Sequence, residues 1–96
     1  MKYIKTFEDQ NDLDHKIDYY DNGNIEFERY YKKYDLHRED GPADIRYDQN
    51  GNIIEYNYSL YNMFYSKQRW IIELKEINSP HYEEQKMLLD AEKYNL

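Results

Sequence analysis

The residues best suited to chemistry in this 96-residue chain are a histidine and two carboxylates that stand close together, His37, Glu39 and Asp40. Imidazole nitrogen and carboxylate oxygen bind zinc, and the same groups move protons in acid–base catalysis. His15 and His81 stand far from this group, and the spacing matches no familiar zinc site. We therefore predict that His37 and Asp40 hydrogen-bond a turn, and that the chain uses no metal and no cofactor.

Other catalytic arrangements are also missing. The serines, Ser59, Ser66 and Ser79, lack the flanking glycines of a nucleophile elbow. The absence of cysteine excludes disulfides, thiolate metal sites and cysteine nucleophiles, and three glycines are too few for a phosphate-binding loop. Carboxylates are plentiful, so a small hydrolase that uses an acid–base pair stays as an alternative. We expect a protein that is not an enzyme.

Tyrosine and acidic residues are the most abundant candidates for binding. The chain has 13 tyrosines, and 20 acidic against 13 basic residues give a net charge of −7. Residues 1–66 hold 14 acidic and 8 basic residues, so most of the excess lies there. Outward-facing tyrosines are common at interfaces, although they can also simply cover a sheet. The predicted partner-binding residues are Tyr20, Glu26, Glu28, Tyr30, Tyr34, Asp48 and Tyr58.

The charge also limits the class of partner. An acidic chain is a poor ligand for nucleic acid or for an anionic membrane, whereas a basic protein surface attracts it. Solubility alone is the other explanation of the charge. No run approaches the ~20 apolar residues of a membrane span, and Met1–Asp9 lacks the apolar core of a secretory signal. We expect a cytoplasmic protein.

The elements that position these residues begin with an internal repeat. Ile17–Tyr31 and Ile45–Ser59 are offset by 28 residues, and each is centred on Asn-Gly-Asn. Asn-Gly between aromatic and β-branched residues predicts a β-hairpin, because glycine accepts positive φ. The identical positions of the two copies are Ile17/Ile45, Tyr19/Tyr47, Asn22/Asn50, Gly23/Gly51, Asn24/Asn52, Ile25/Ile53 and Tyr30/Tyr58.

Two registers are available to the first hairpin. A two-residue loop pairs Tyr20 with Ile25 and Asp18 with Phe27. A three-residue loop that ends in a left-handed Gly23 pairs Tyr19 with Ile25 and Ile17 with Phe27. We predict the three-residue loop, because it places apolar residues opposite each other.

In the second hairpin the three-residue loop pairs Tyr47 with Ile53 but Ile45 with Glu55. A β-bulge near Ile53 would reconcile this register with the alternation that follows. The same loop type predicts turns at Asn22-Gly23 and at Asn50-Gly51.

The segments around the hairpins are also assigned. Leu36–Ala43, called the bridge segment below, contains Asp40-Gly41-Pro42, which is turn chemistry. Met1–Phe7 has the character of an edge strand, and Asp9–Asp14 reads as a polar loop.

After Leu60 the spacing of the apolar residues changes to that of a helix. Trp70, Ile71, Leu74 and Ile77 share one stripe, with Ser66 as N-cap and Asn78 as the end. A second helix is predicted with Ser79 as its cap and Pro80 in its first position. Its predicted apolar face consists of Met87, Leu88, Leu89 and Ala91, continued by Tyr94 and Leu96.

These elements predict an α+β fold. We expect an antiparallel β-meander of stacked hairpins with about four to six strands, followed by two packed C-terminal α-helices, at least one of which covers the sheet. The chain length suits one domain, residues 1–96. It divides into a hairpin-repeat region, 1–65, and a helical region, 66–96.

The repeat carries a family resemblance. Tyr19–Ile25 resembles the YwqK-type form of the membrane occupation and recognition nexus (MORN) repeat. The bridge segment, Leu-His-Arg-Glu-Asp-Gly-Pro-Ala, is similar to a repeat in proteins of large phages and giant viruses, as is Tyr65-Ser66-Lys67 before a helix. The resemblance covers residues 16–75 and implies stacked hairpins and no chemistry. Tyr61–Phe64 replaces the further Asn-Gly turn of longer arrays, so a long solenoid is not expected.

Three functions follow as expectations. The first is a non-enzymatic protein-binding module, encoded by a phage or other virus. It would occlude a host protein, such as a defence or nucleic-acid enzyme, through an acidic, tyrosine-rich surface that can imitate DNA. The second is a structural or virion-associated module that self-assembles as a homo-oligomer. The third is the small hydrolase that uses carboxylates.

Overall fold

The computed structural model describes residues 2–5 and 13–94. Seven strands precede two helices, and the predicted antiparallel hairpin sheet followed by two C-terminal helices is confirmed. The strands follow each other in the sheet in the order β1-β2-β3-β5-β6-β7, and the short β4 also pairs with β3. The elements are β1 (Lys2–Lys5), β2 (Leu13–Tyr19), β3 (Ile25–Lys32), β4 (Asp35–Leu36), β5 (Asp44–Tyr47), β6 (Ile53–Leu60), β7 (Met63–Tyr65), α1 (Lys67–Glu76) and α2 (Tyr82–Tyr94).

The N-terminal predictions fall partly outside this description. The strand expected in Met1–Phe7 is present as β1, which pairs with β2 from Lys2 opposite Ile17 to Lys5 opposite Asp14. Of the polar loop expected at Asp9–Asp14, residues 9–12 lie outside the described residues. Asp14 itself belongs to β2 and not to a loop.

Both hairpins turn through the same three-residue loop. In the first, the Tyr20 N–H donates to the Asn24 carbonyl at 2.8 Å and the Gly23 N–H to the Tyr20 carbonyl at 3.0 Å. Gly23 has φ 91° and Gly51 has φ 90°, the left-handed region that glycine enters at no steric cost. The loop type preferred from the sequence is therefore the one that forms.

A β-bulge follows each loop. In the second hairpin Tyr47 pairs with Ile53 and Arg46 with Glu55, so the extra residue is Ile54 and Ile45 lies opposite Tyr56. In the first hairpin Tyr19 pairs with Ile25, as predicted, but Asp18 then pairs with Phe27. The predicted pairing of Ile17 with Phe27 is wrong, because the bulge shifts the register by one residue and Ile17 faces Glu28.

The two faces of the sheet carry different kinds of side chain. The row Ile17, Glu28, Ile45 and Tyr56 lies on the face that also carries Tyr58 and Leu60. The row Asp18, Phe27, Arg46 and Glu55 lies on the other face. There Arg29 Nε lies 3.2 Å from Asp44 Oδ1 and Arg46 Nε lies 3.4 Å from Glu55 Oε2. The Arg29 guanidinium covers the Phe27 ring at 4.2 Å, so this face is closed by ions and not by helices.

Helix α1 supplies the core. Trp70, Ile71 and Leu74 are buried with Leu60 of β6, as the predicted stripe requires, and Ile77 is partly buried against them. The Ser66 hydroxyl accepts the Arg69 N–H at 3.2 Å and caps the first turn, as predicted. At the other end Asn78 has φ 57°, and the N–H groups of Asn78 and Ser79 donate to the carbonyls of Lys75 and Leu74. This pair of bonds is a Schellman motif, which ends the helix at the predicted asparagine.

Of the predicted apolar face of α2, Leu89 packs against the core as expected, but Met87, Leu88 and Ala91 do not. Tyr82, Gln85 and Leu89 face the sheet and α1, whereas Met87 and Leu88 are 70% and 50% exposed. Ala91 is exposed as well, Leu96 lies outside the described residues, and of Tyr94 only the backbone is described. Gln85 is buried because its Nε2 donates to the Asp40 carbonyl at 3.4 Å, so a polar residue holds α2 to the bridge segment.

The start of α2 also differs slightly. Pro80 precedes the regular helix, which begins at Tyr82. The Ser79 hydroxyl still accepts the His81 N–H at 3.1 Å, so it caps the turn that leads into the helix. Within residues 2–5 and 13–94, neither helix combines the length and the apolar character that a membrane crossing requires.

Candidate functional site

The tips of the two hairpins form the first candidate site. Tyr19, Tyr20, Asp21, Asn22, Glu26 and Gln49 enclose a cleft of about 400 Å³, called the tip cleft below. Three hydrogen bonds join the tips: the Asn22 and Asn24 side-chain amides donate to the Gln49 carbonyl at 3.0 and 2.7 Å, and the Tyr20 hydroxyl donates to the Tyr47 carbonyl at 2.7 Å. These bonds tie the two walls of the cleft to each other.

The tip cleft is acidic and aromatic. Asp21 is exposed and Glu26 is half-buried, and among the described residues neither carboxylate has an ion pair or a hydrogen bond. Nearby, the Tyr19 backbone N–H donates to Asp18 and holds the pKa of that carboxyl below its usual value. Two tyrosine rings beside unpaired carboxylates form a surface that suits a lysine or arginine side chain.

A larger groove lies where the bridge segment meets β2, β3 and the turn before α2. Its volume is about 540 Å³, and all three histidines line it, His15, His37 and His81. We call it the histidine groove. Along the chain these residues are far apart, and the topology alone brings them together. Asp14 also lines the groove, and its Oδ1 is buried without a hydrogen-bond partner among the described residues.

His37 is the buried centre of the bridge segment. It is 2% exposed, its Nε2 lies 2.6 Å from Glu39 Oε2, and its Nδ1 accepts the Tyr61 N–H at 3.0 Å. Because Nδ1 accepts, the ring proton sits on Nε2 and is donated to Glu39. The Asp40 carboxylate accepts Arg38 Nε at 2.8 Å. His37 and Asp40 thus hydrogen-bond within the bridge segment, which is the role expected from the sequence.

Aromatic stacking fixes the opposite wall of the groove. The His15 and Tyr30 rings lie 4.1 Å apart at an angle of 10°, and the Arg38 guanidinium covers Tyr30 at 3.9 Å. His15 Nε2 also lies 3.0 Å from Glu28 Oε1. The three-layer stack of His15, Tyr30 and Arg38 therefore joins the first hairpin to the bridge segment.

Burial makes several tyrosines of this region harder to ionise. Desolvation raises the pKa of Tyr30 and of Tyr58. Desolvation, and then the hydrogen bond to Glu28, raises the pKa of Tyr47 to about 12. These phenols stay protonated at neutral pH and act as packing groups and hydrogen-bond donors.

The structure separates the predicted partner-binding residues. Tyr20 and Glu26 line the tip cleft, and Tyr34 is 94% exposed in the turn after β3. Glu28 and Tyr30 are engaged in the groove wall, and Tyr58 packs on Trp70 with ring centroids 4.7 Å apart. Asp48 Oδ1 accepts the Asn50 and Asn52 N–H groups at 2.9 and 3.0 Å, so it organises the second turn.

Three residues of the tip cleft were not singled out from the sequence: Tyr19, Asp21 and Gln49. The cleft forms because the tip of one repeat copy docks on the other. The shared Asn-Gly-Asn element was a signal for the two turns, but it did not show that the turns would meet.

We expect the Glu39→Gln substitution to change how stability depends on pH. The His37 hydrogen bond lowers the pKa of Glu39 from 4.5 to about 2. The carboxylate therefore stabilises the fold above about pH 4.5, and this contribution is lost as the pH falls toward 2. Urea unfolding midpoints of wild type and variant should differ most near neutral pH and converge at low pH. The variant Glu26→Gln is the control, because it makes the same change in net charge. A difference in urea midpoint between wild type and Glu39→Gln that stays constant down to pH 2 would contradict the prediction.

The histidine and carboxylate side chains of the described residues form no cluster that could hold a metal ion. Among residues 13–94, no three His or carboxylate side chains converge as they would around a metal ion. The carboxylates of Glu28, Glu39 and Asp40 are each bound by a histidine or an arginine. Comparison of the chain with protein-family models, with curated proteins and with solved structures finds no match.

Proposed function

We propose that this protein is a non-enzymatic protein-binding module whose tip cleft binds a basic segment of its partner. The observation that carries the proposal is the pair of carboxylates, Asp21 and Glu26, that line a tyrosine-walled cleft without an ion pair among the described residues. Within the described part of the chain, neither carboxylate is held by an ion pair that binding would have to break. Both are available to a lysine or arginine of another protein.

The net charge of −7 supports the same kind of partner. A basic protein surface is attracted over a distance of about 10 Å at moderate ionic strength, which speeds the encounter. The resemblance to phage and giant-virus repeats suggests a host protein, such as a defence or nucleic-acid enzyme, that is inhibited by occlusion. The host cytoplasm is the compartment that this proposal requires.

The proposal is tested by charge reversal in the tip cleft. The wild-type protein first captures its partner from the lysate of the presumed host, and the affinity of the purified pair is measured at several salt concentrations. Asp21→Lys with Glu26→Lys should weaken binding about tenfold or more. Salt should weaken binding of the wild type more steeply than binding of this variant.

The matched control reverses two exposed acids elsewhere, Glu76→Lys with Glu84→Lys, and makes the same change in net charge. This variant should keep the wild-type affinity within a small factor. If both variants lose affinity equally, the overall charge attracts the partner and the tip cleft is not the site. If neither loses affinity, the proposed binding mode is wrong.

A further inference from the structure

The internal repeat continues beyond the two hairpins. In the first copy β4 pairs with the end of β3, Tyr31 opposite Leu36 and Lys32 opposite Asp35. In the second copy β7 pairs with the end of β6, Ser59 opposite Phe64 and Leu60 opposite Met63. Each of these positions is offset by 28 residues from its counterpart, so β7 is the equivalent of β4.

The turns before these short strands begin with the same backbone conformation. Lys33 has φ 55° and its counterpart Tyr61 has φ 50°. The next position differs, because Asn62 has positive φ and its counterpart Tyr34 does not. Asn62 Oδ1 accepts the Leu36 N–H at 2.7 Å, so the second turn contacts β4 of the first copy. The second copy thus follows the path of the first as far as Tyr65.

The two copies then diverge. After β4 the first copy runs through the bridge segment and returns as β5, which fills the outer edge of β3 with Ile45 opposite Glu28. After β7 the second copy enters α1 at Lys67 and does not return to the sheet. Among residues 2–5 and 13–94, the strands paired with β6 are β5 and β7, and β7 reaches only Tyr58–Leu60. The position that corresponds to β5 is therefore empty beside Ile53–Asn57.

The backbone at this edge points outward. The Asn57 carbonyl accepts the Ala43 N–H at 2.9 Å, on the side of β5. Because successive residues of a strand direct their N–H and C=O groups to opposite sides, those of Tyr56 point to the empty side. Ile54 and Tyr56 are 64% and 56% exposed, so apolar side chains accompany the open backbone. Open strand edges of this kind accept a strand from another chain.

The residues expected in a docked strand follow from β5, which fills the same edge in the first copy. There Ile45 faces Glu28 and Arg46 faces Phe27. At the vacant edge the corresponding positions are Tyr56 and Glu55. Glu55 is 57% exposed, and its Oε2 already lies 3.4 Å from Arg46 Nε of β5. A carboxylate accepts several hydrogen bonds, so a Lys or Arg on the docked strand can flank Glu55 from the open side. A second copy of this chain is a less favourable occupant, because it brings the same charge of −7.

We propose that the outer edge of β6, from Ile53 to Asn57, docks an extended strand of a partner protein, with an apolar residue facing Tyr56 and the following Lys or Arg facing Glu55. This docking extends the proposed binding function to a second surface, apart from the tip cleft. The added strand lies antiparallel to β6 and takes the register of β5 against β3. Backbone hydrogen bonds supply its affinity, and Tyr56 and Glu55 supply its selectivity.

The probe is a capped synthetic peptide with the sequence of Gly41–Asp48, which contains the Ile-Arg pair in the required order. It is titrated to millimolar concentration into the isotope-labelled full-length chain, and backbone amide resonances are followed. We expect saturable shifts confined to residues 53–57 and their neighbours. N-methylation of the peptide isoleucine, which removes its hydrogen-bond donor to Tyr56, should weaken binding about tenfold or more.

Two substitutions of Tyr56 distinguish the contribution of its backbone N–H from that of its side chain. Tyr56→Pro removes the outward N–H at an edge position where the fold tolerates proline, and it should weaken binding about tenfold or more. Tyr56→Ala keeps this N–H and should weaken binding less. A peptide with glutamate in place of the arginine should bind more weakly than the parent. The N-methylated peptide tests the proposal even if Tyr56→Pro does not fold.

Several outcomes would overturn this inference: no saturable shift, saturable shifts elsewhere, or equal binding of the N-methylated peptide. A concentration-dependent dimer that Tyr56→Pro abolishes would identify a second copy as the occupant and would overturn the partner-strand assignment. The variant Asp21→Lys with Glu26→Lys should bind the peptide like wild type. If the peptide does not bind at the β6 edge, the tip-cleft proposal is unaffected. If the tip-cleft proposal is wrong, the proposal for the β6 edge is unaffected.

Discussion

Replacing Trp70 with alanine is expected to destabilise the protein by about 3–5 kcal/mol, the range found for buried aromatic residues. Trp70 is fully buried, its ring packs on Tyr58, and its Nε1 donates to the Arg38 carbonyl at 3.0 Å. One side chain thus joins α1, β6 and the bridge segment. A domain of this size has a total stability of about 5–15 kcal/mol, so the substitution removes a large share of it and should lower the urea midpoint strongly.

The measurement is urea unfolding followed by circular dichroism, since the variant has no tryptophan left to report fluorescence. Ile72→Ala is the control in the same helix, because Ile72 is 49% exposed and should cost far less. Trp70→Phe keeps most of the packing and loses the bond to the Arg38 carbonyl, so it should lie between the two. Equal midpoints for Trp70→Ala and Ile72→Ala would show that Trp70 is not a centre of the fold.

The second large effect is expected at His37. His37→Leu removes the acceptor of the Tyr61 N–H and the imidazole donor to the half-buried Glu39 carboxylate. A neutral hydrogen bond contributes about 0.5–1.5 kcal/mol and one to a charged group about 1.5–3 kcal/mol. The loss should appear locally as well as globally. Hydrogen exchange of the Tyr61 amide should accelerate by more than the global loss of stability explains.

His81→Leu is the matched control for this substitution. His81 lines the same groove, but its side chain has no hydrogen-bond partner among the described residues. This variant should unfold close to the wild-type midpoint. If His37→Leu keeps the protection of the Tyr61 amide, the bond from that amide to His37 Nδ1 does not organise the bridge segment.

Local patterns in the sequence predicted much of this fold. Asn-Gly marked both turns, Ser66 marked the start of α1, and the helical period identified Trp70, Ile71 and Leu74 as core. Each of these features depends on residues within one or two turns of each other. The second bulge was also predictable, since the alternation of Ile54, Tyr56 and Tyr58 visibly changes phase.

Features that depend on contacts across the chain were missed. The first bulge does not disturb the alternation of apolar and polar residues that is visible in the sequence. Phe27 lies on the ionic face, where the Arg29 guanidinium covers its ring. The packing face of α2 includes Gln85, a polar residue whose amide meets the bridge segment forty-five positions earlier. The tip cleft and the histidine groove arise in the same way, from segments that meet only in the folded sheet.

The strand order has a consequence for how the chain acquires its structure. Because sheet neighbours are mostly neighbours along the sequence, most strand pairing is local, and topologies of this kind fold quickly. During synthesis both hairpins emerge before Trp70 does, while the core that they share with α1 is still incomplete. The nascent sheet therefore exposes Tyr58 and Leu60 until α1 emerges. The contacts of the sheet that do not involve α1 include the stack of His15, Tyr30 and Arg38 and the bonds between the hairpin tips.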